Sequence, residues 1–453
     1  MAMGTRKRRE RQQELWIASQ EIVQTPANAF YDRLNEILDR RQFDQCVEHL
    51  CRRYYEGPYG RPSMPPGVYF RMLLIGYFEG LGSERGIAWR TADSLSLRKF
   101  LNYALDEKTP DHSTVSRTRR LVWVSTHKAV FRWVLKILVE EGLVQGQTVS
   151  VDATTLEANA AMRAIVRRDT GERYEEYLKE LAAAEGMEKP TREQLARFDR
   201  KRKKKASNRD WKHPYDLDAR ITKMKDGRTH LAHKAEHAVD LSSGALLAVT
   251  LQPADEGDTT TIDNTLAEAQ QAAHQINERG VEEVVADKGY HSDAVLKGTE
   301  QQGTRSYIPE PERGRRRWKG KAAEKKRVYD NRRRVRGERG KRLQKLRSEL
   351  TERSFAHLYE TGGMRRVHLK GRENILKRLV VHAAGFNLGL VMRKLIGVGK
   401  PRRLQELNGA CSGGHFSFRW AWLCFRSRMV TLWHALNSHL ALARWPATSS
   451  ATA

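Results

Sequence analysis

The chain has 453 residues, with 82 Lys and Arg against 55 Asp and Glu, and carries a formal net charge of +27. A charge of this size predicts a polyanionic partner, because each phosphate that a cation neutralises releases a counterion and adds affinity independent of sequence. The four cysteines form no Cys-x-x-Cys pair, which argues against a zinc finger or a disulfide framework. With no apolar run of the roughly 20 residues of a membrane span and no signal peptide, we expect a cytoplasmic protein without a membrane partner.

The first third of the chain has the pattern of an all-α domain. A charged segment at 1–24, expected to be disordered, precedes a region at 25–143 whose apolar residues recur at helical spacing. Residues 109–120 look like a capped basic helix that follows several short helices, an order typical of DNA-binding helical modules. The predicted DNA contacts are Arg117, Arg119 and Arg120. A helical bundle with a solvated basic face fits the pattern equally well.

From residue 144 to about 400 the pattern becomes α/β. Strand-like segments cover 147–152, 230–240, 245–252, 281–287 and 305–309, with helix-like segments at 261–277, 292–302 and 373–396. Charged insertions are predicted at about 163–210 and 312–345. This order suits a ribonuclease-H-like mixed sheet with helices on both faces. Such a sheet has its first strand in the centre and its fourth beside it, so Asp152 and Asp287 are predicted to meet.

The two aspartates have matching settings, because each follows a run of apolar strand residues. A carboxylate in this position is costly to desolvate unless it is paired or bound to a metal. For a single aspartate, a role in a cap or turn is the preferred interpretation. Two of them, Asp152 and Asp287, with an acidic helix downstream, favour a metal site instead.

The acidic helix offers Glu349 and Glu352 as the third carboxylate. Glu352 is preferred, because the apolar residues that follow it at 355–356 are predicted to turn it toward the core. Glu349 has Arg353 one turn further on and is expected to form a solvated ion pair. Two Mg²⁺ ions roughly 3.5–4 Å apart are then predicted, with Asp152 bridging both and the other two carboxylates binding one each. Mn²⁺ is expected to substitute.

Several neighbouring residues have two interpretations. Lys288 and Tyr290 are predicted to contact DNA, although Tyr290 fits the core equally well. The polar segment 255–261 is favoured as a helix cap, with Asp258 lining the site as the alternative. The histidines at 230–237 are favoured as structural residues over zinc ligands. Trp318, within a basic run, is a candidate for stacking on an unpaired base.

Together these motifs resemble the DDE transposases of bacterial insertion sequences over roughly residues 25–398. The resemblance is carried in the N-terminal region by 60–74, 93–101 and 110–117, and in the core by 151–154, 286–290 and 352–355. It implies metal-dependent DNA strand cleavage and transfer, with Asp152, Asp287 and Glu352 as the catalytic triad. It also implies a homodimer that pairs the terminal inverted repeats of an element and then captures target DNA, in the bacterial nucleoid.

The chain departs from the family pattern around the third motif. The family often has an arginine four residues before the glutamate and a basic residue seven after it, where this chain has Ser348 and Tyr359. Arg347 and Arg353 are nearby and are expected to replace them as DNA contacts. The chain beyond about Leu407 resembles nothing in the family, and the tail at 401–453 is expected to be atypical and disordered. Two alternatives therefore stay open: an inactive DNA-binding derivative of a transposase, and a ribonuclease-H-like nuclease that cuts without joining.

Overall fold

The computed structural model describes residues 26–55, 63–187, 189–202, 206–224, 227–312, 314 and 316–404. The segment at 1–24 and nearly all of the tail at 401–453 lie outside the described residues. The region predicted to be helical contains α1 Pro26–Arg40, α2 Phe43–Cys51, α3 Pro66–Glu79, α4 Glu84–Asp93, α5 Leu95–Phe100, α6 His112–Leu121 and α7 Val124–Glu140. Three of these helices begin at side-chain caps, as Ser83, Ser94 and Asp111 accept hydrogen bonds from backbone N–H groups of α4, α5 and α6.

The α/β region follows the predicted order. Its strands are β1 Thr148–Glu157, β2 Val166–Arg167, β3 Trp211–Lys212, β4 Arg220–Lys223, β5 Thr229–Asp240, β6 Leu246–Pro253, β7 Glu283–Ala286 and β8 Arg305–Tyr307. Its helices are α8 Tyr174–Ala184, α9 Arg192–Lys201, α10 Asp258–Ala273, α11 Asp293–Gln301, α12 Ala322–Arg336, α13 Glu338–Phe355 and α14 Arg372–Ile396.

The main sheet has the order β4-β5-β1-β7-β8, with β6 also pairing with β5. β5 is antiparallel to β1, whereas β7 is parallel to β1 and β8 is parallel to β7. The first long strand is thus central and β7 lies beside it, which confirms the ribonuclease-H-like prediction. One detail was wrong: β1 does not end at Asp152 but runs on to Glu157, because the longer β5 pairs with it as far as Ala232.

Helices cover both faces of this sheet, and adjacent residues of β5 show it. Glu236 accepts hydrogen bonds from Thr261 and Thr265 of α10 on one face. His237, the next residue, contacts Ser354 of α13 on the other face. This is the alternation expected of a strand that is buried on both sides.

Residues 163–212, which include the insertion predicted at 163–210, form α8, α9 and a two-stranded sheet of β2 and β3. This segment has a small apolar cluster of its own, in which Leu178 and Ala182 of α8 pack with Leu195 of α9. The second insertion forms α12 and the first part of α13, two helices rich in Lys and Arg.

Helix α14 connects the helical region to the sheet, since it packs on α3, α7 and β6. Asn387 bonds both the N–H and the carbonyl of Leu246 on β6, so its buried amide is satisfied. The helix is long and apolar enough to span a membrane, but 89% of its most apolar window is buried inside the protein. Burial to this extent is typical of a core helix.

Candidate active site

Asp152 and Asp287 lie next to each other across the parallel pair of β1 and β7. The register pairs Val151 with Ala286, so the residue that follows each is an aspartate. Neighbouring strands are about 4.8 Å apart, which brings the two carboxylates to one edge of the sheet. Asp287 follows the last residue of β7, and its Oδ1 accepts a hydrogen bond from the Gly289 N–H at 2.7 Å. The structure therefore brings the two predicted aspartates together.

The Asp152 carboxylate is in an environment that disfavours its charge. Burial raises its pKa to about 6, and the nearby Asp287 and Asp258 also raise it. Two hydrogen bonds act in the opposite direction: Ala153 N–H donates to Oδ1 at 2.8 Å and Arg347 Nη1 donates to Oδ2 at 2.7 Å. Even with these donors the pKa stays raised. A further cation at this edge would therefore stabilise the site.

Asp258 is a third carboxylate at the same edge. A Cβ built on Gly289 would be 2.8 Å from Asp258 Oδ2 and 2.9 Å from Asp287 Oδ1, so both side chains occupy the space that glycine leaves open. Lys234 Nζ donates to Asp258 Oδ1 at 2.9 Å. The segment 255–261 contains Gly257, the N-cap of α10, as the favoured interpretation expected. It also brings Asp258 to the candidate site, as the alternative expected.

Behind the three aspartates lies the fully buried carboxylate of Glu236. Its Oε1 accepts hydrogen bonds from Thr261 at 2.7 Å and from Tyr290 at 3.0 Å, and Lys234 Nζ lies 3.9 Å away. Tyr290 is completely buried, and burial raises its pKa well above the ordinary range. The prediction that Tyr290 touches DNA is corrected, since its hydroxyl and ring belong to the core beneath the site.

We expect Tyr290→Phe to destabilise the protein by about 1.5–3 kcal/mol, because a charged buried acceptor loses one donor. DNA affinity should stay within twofold of wild type, because the side chain has no exposed surface. Denaturant unfolding and a DNA-binding titration measure the two effects. A large loss of affinity without loss of stability would restore the DNA-contact interpretation.

Helix α13 crosses the sheet and is held there by polar side chains. Gln344 donates to the carbonyls of Ala286 and Tyr307, at the ends of β7 and β8. One turn on, Arg347 reaches Asp152. Another turn on, the Thr351 hydroxyl is 2.8 Å from that of Ser150 on β1. The face of α13 that meets the sheet is therefore hydroxylic and charged.

Glu352 follows Thr351 and is exposed, so the prediction that apolar neighbours turn it toward the core was wrong. Consecutive helical residues point about 100° apart, and it is Thr351 that faces the sheet. Among the described residues, no group of three or more His, Cys, Asp or Glu is spaced to hold a metal ion. This holds for Asp152, Asp258 and Asp287 as well as for any set that includes Glu352. The other candidate, Glu349, pairs with Arg353 at 2.7 Å, as expected.

The predicted DNA contacts of the helical region divide into two kinds. Arg117 and Arg120 are exposed on α6. Lys288, which lies beside Asp287 in the α/β region, is exposed as well. Arg119 is only 6% exposed and bonds Glu84 of α4 and Asn374 of α14. Its assignment to DNA is corrected, since the guanidinium ties three helices together.

Three further residues have partners within the protein. Arg347 bonds Asp152, and Arg353 bonds Glu349. Trp318 is half-buried, with the Tyr329 ring edge-on at 6.2 Å. For these three the predicted roles in DNA binding stay predictions.

Two of the three histidines on β5 are buried and have partners within the protein, which supports the favoured structural interpretation. His237 bonds Ser354 and the hydroxyl of Tyr359, and burial lowers its pKa to about 3. His233 Nε2 lies 3.4 Å from Asp216. Tyr359, where the family often has a basic residue, is likewise fully buried in the core.

Sequence reasoning missed Lys234, which is 5% exposed and supplies positive charge within the acidic edge. One signal was available. Lys234 and Glu236 stand two residues apart on the same face of β5, with Ala232 and Ala238 on either side of them on that face. A buried pair of opposite charges is the simplest arrangement that this spacing permits.

Comparison with solved structures finds Mos1 transposase complexes at low similarity. The Mos1 transposase paired-end complex with left transposon end is 10% identical, with a TM-score of 0.18, over 68% of this chain and 82% of that one. A pre-cleavage Mos1 transpososome has a TM-score of 0.19 at 10% identity, over 68% and 82%. TM-scores this low do not establish a shared fold or function. A search of curated proteins finds no match.

Two family models match the chain. A transposase domain matches residues 20–121, which include most of the helical region. A transposase DDE domain matches residues 147–388, which run from the start of β1 into α14 and make up more than half of the chain. The predicted resemblance to insertion-sequence DDE transposases is confirmed, and the chain belongs to the DDE transposase family.

Proposed function

We propose that this transposase cleaves DNA at the ends of an insertion sequence and joins the cut strands to target DNA, with Asp152 and Asp287 at the reacting phosphate. The observation that supports the proposal most directly is the register of β1 and β7, which brings both carboxylates to one edge. Glu352 is proposed as the third acidic residue. Its place on α13, directly after Thr351, which contacts the sheet, is the reason for this choice.

DDE transposases act with a divalent metal, and the donors at this edge suit Mg²⁺. Asp152, Asp258 and Asp287 offer carboxylate oxygens, the ligands that Mg²⁺ prefers, and Mn²⁺ accepts the same type of ligand. When bound, a pair of such ions supplies Lewis-acid polarisation and an activated oxygen nucleophile. We propose that Asp152 and Asp287 hold two Mg²⁺ ions with Glu352, and that Asp258 adds negative charge beside them.

The cationic residues around the edge have separate roles. Lys234 and Arg347 offset the carboxylate charges from within the protein. Lys288 is exposed next to Asp287 and is positioned to contact a DNA phosphate, as are Arg117 and Arg120 on α6. We further propose a homodimer that holds two terminal inverted repeats and acts in the bacterial cytoplasm at the nucleoid.

The decisive test is cleavage of labelled duplexes that carry the inverted repeats flanking the gene. With Mg²⁺ or Mn²⁺ we expect strand nicks at the repeat ends and joined products with a target plasmid, and neither product in EDTA. Nicks without joined products would indicate a nuclease. The remaining alternative is an inactive DNA-binding derivative, and the exposed position of Glu352 is the observation that favours it. This alternative predicts salt-sensitive DNA binding and no nicks with either metal.

A further inference from the structure

The loop between β3 and β4 presents two large side chains to solvent. Tyr215 is 74% exposed and Leu217 is 60% exposed. Asp216, which lies between them, is 1% exposed. Single exposed apolar residues are common on protein surfaces. Two large ones on either side of a buried aspartate form a small exposed patch, which is typical of a binding surface.

Hydrogen bonds fix this loop to two other elements. Asp216 lies 3.4 Å from His233 Nε2 on β5, and its Oδ1 accepts from the Gly371 N–H at 3.2 Å. Asp218 accepts from the Arg372 N–H at 2.9 Å. The tip is therefore held before any ligand arrives, which lowers the entropic cost of binding.

Three cationic residues lie around the two side chains, and one of them, Arg220, also pairs with Asp255. Lys370 Nζ lies 5.1 Å from the centroid of the Tyr215 ring. Arg220 donates to the Leu217 carbonyl at 2.8 Å, and Arg372 is exposed at the start of α14. An apolar tip within positive charge is complementary to nucleic acid, in which stacked bases lie beside phosphates.

The anchor of the loop and Asp152 share one face of the sheet. His233, which anchors the loop, and His237, which pairs with Asp152 in the β1–β5 register, are four residues apart on β5. Side chains at even spacing point to the same side, and four residues span about 13 Å. That length corresponds to about four nucleotides of one DNA strand.

We propose that Tyr215 and Leu217 form a wedge that stacks on, or between, DNA bases several nucleotides from the phosphate held at Asp152 and Asp287. The wedge would bend or unstack the end of the element and fix its register on the protein. The proposed distance to the reacting phosphate rests on the proposed function, whereas base stacking can be measured without cleavage.

The test uses terminal-repeat duplexes with one 2-aminopurine at successive positions, titrated with the full chain in EDTA. We expect a fluorescence change confined to one or two positions, which is lost in Tyr215→Ala/Leu217→Ala and retained in Tyr215→Phe. The double variant should bind about tenfold more weakly, the effect of losing one stacked base. Lys370→Gln should instead reduce the salt dependence of binding by about one phosphate contact and leave the fluorescence pattern in place.

Leu105→Ala is the matched control, because Leu105 is 57% exposed on a different loop and should leave the signal unchanged. Thermal melts should coincide for all variants, since the substituted side chains are exposed. A pattern without position dependence, or one that survives the double variant, would overturn the wedge. So would a change in the sedimenting mass of the DNA-free double variant, which would mark the loop as a protein interface. If the protein cleaves DNA but shows no position-dependent fluorescence change, only the wedge proposal is wrong. If it shows that change but does not cleave DNA, only the proposed function is wrong.

Discussion

Asp152→Asn is expected to abolish DNA cleavage and at the same time to stabilise the protein at pH 8. Loss of a carboxylate that holds the reacting centre removes several kcal/mol of charge stabilisation, which is a rate loss of about a thousandfold or more. DNA binding should persist, because the phosphate contacts proposed for Arg117, Arg120 and Lys288 are unchanged. Nicking of terminal-repeat duplexes and a binding titration measure the two properties.

The gain in stability follows from the pKa of Asp152, which is about 6 in the folded protein against a usual value of 3.8. Between these two values the folded state holds a proton that the unfolded state has released, so the wild type loses stability as pH rises from about 4 to about 6. Asparagine resembles the protonated acid and does not ionise. The variant should therefore exceed the wild type by up to about 3 kcal/mol at pH 8 and by nothing below pH 4.

Asp169→Asn is the control for this effect. Asp169 is exposed, and hydrogen bonding with Arg167 lowers its pKa, so the variant should show no such gain at pH 8. Thermal melts of the three proteins between pH 4 and pH 8 make the comparison. Cleavage by Asp152→Asn at the wild-type rate would remove the residue from the site. A stability gain that is equal at pH 4 and pH 8 would show that the ionised carboxylate is not its cause.

The meeting of Asp152 and Asp287 could be predicted because it depends on strand order. Alternation, turns and apolar runs identify strands, and the ribonuclease-H-like order then requires the first and fourth strands to be neighbours. The exact end of β1 was less accessible, because it depends on how far β5 extends along it. That extension places Asp152 within a strand instead of at its mouth.

The orientation of α13 could not be predicted from its apolar residues. Its inward face carries Thr351 and Ser354, whose hydroxyls meet Ser150 and His237 of the sheet. A polar interface of this kind reverses the usual assumption that apolar residues mark the buried side of a helix. Glu352 was therefore assigned to the wrong face.

Arg119 shows the same limit in the helical region. The sequence presents three arginines within four positions of α6, and nothing in their spacing reveals that Glu84 and Asn374 enclose the middle one. Partners that are distant in sequence decided its burial. Only Arg117 and Arg120 keep the exposure that a phosphate contact needs.

Lys234→Met should cost about 3–5 kcal/mol of stability, because it removes the cation from a buried group of charges. Lys234 is 5% exposed and donates to Asp258 Oδ1 at 2.9 Å and to the Glu256 carbonyl at 3.0 Å. Without it, the donors that the described residues give the fully buried Glu236 carboxylate are hydroxyls alone, Tyr290 among them. Methionine fills the space of the lysine stem, so the loss measures charge and not volume. Denaturant unfolding at pH 7 gives the free energy.

Two further variants decide whether charge is the cause. Lys179→Met removes an exposed lysine that pairs with Glu175, and such pairs contribute about 0–1 kcal/mol. Adding Glu236→Gln to Lys234→Met should restore part of the lost stability, because the uncompensated carboxylate is then neutral. The coupling free energy between the two sites should be on the order of 1–3 kcal/mol. If the two substitutions are additive, or if Lys234→Met costs no more than Lys179→Met, the acidic edge of the sheet does not depend on an internal cation, and the role given to Lys234 fails.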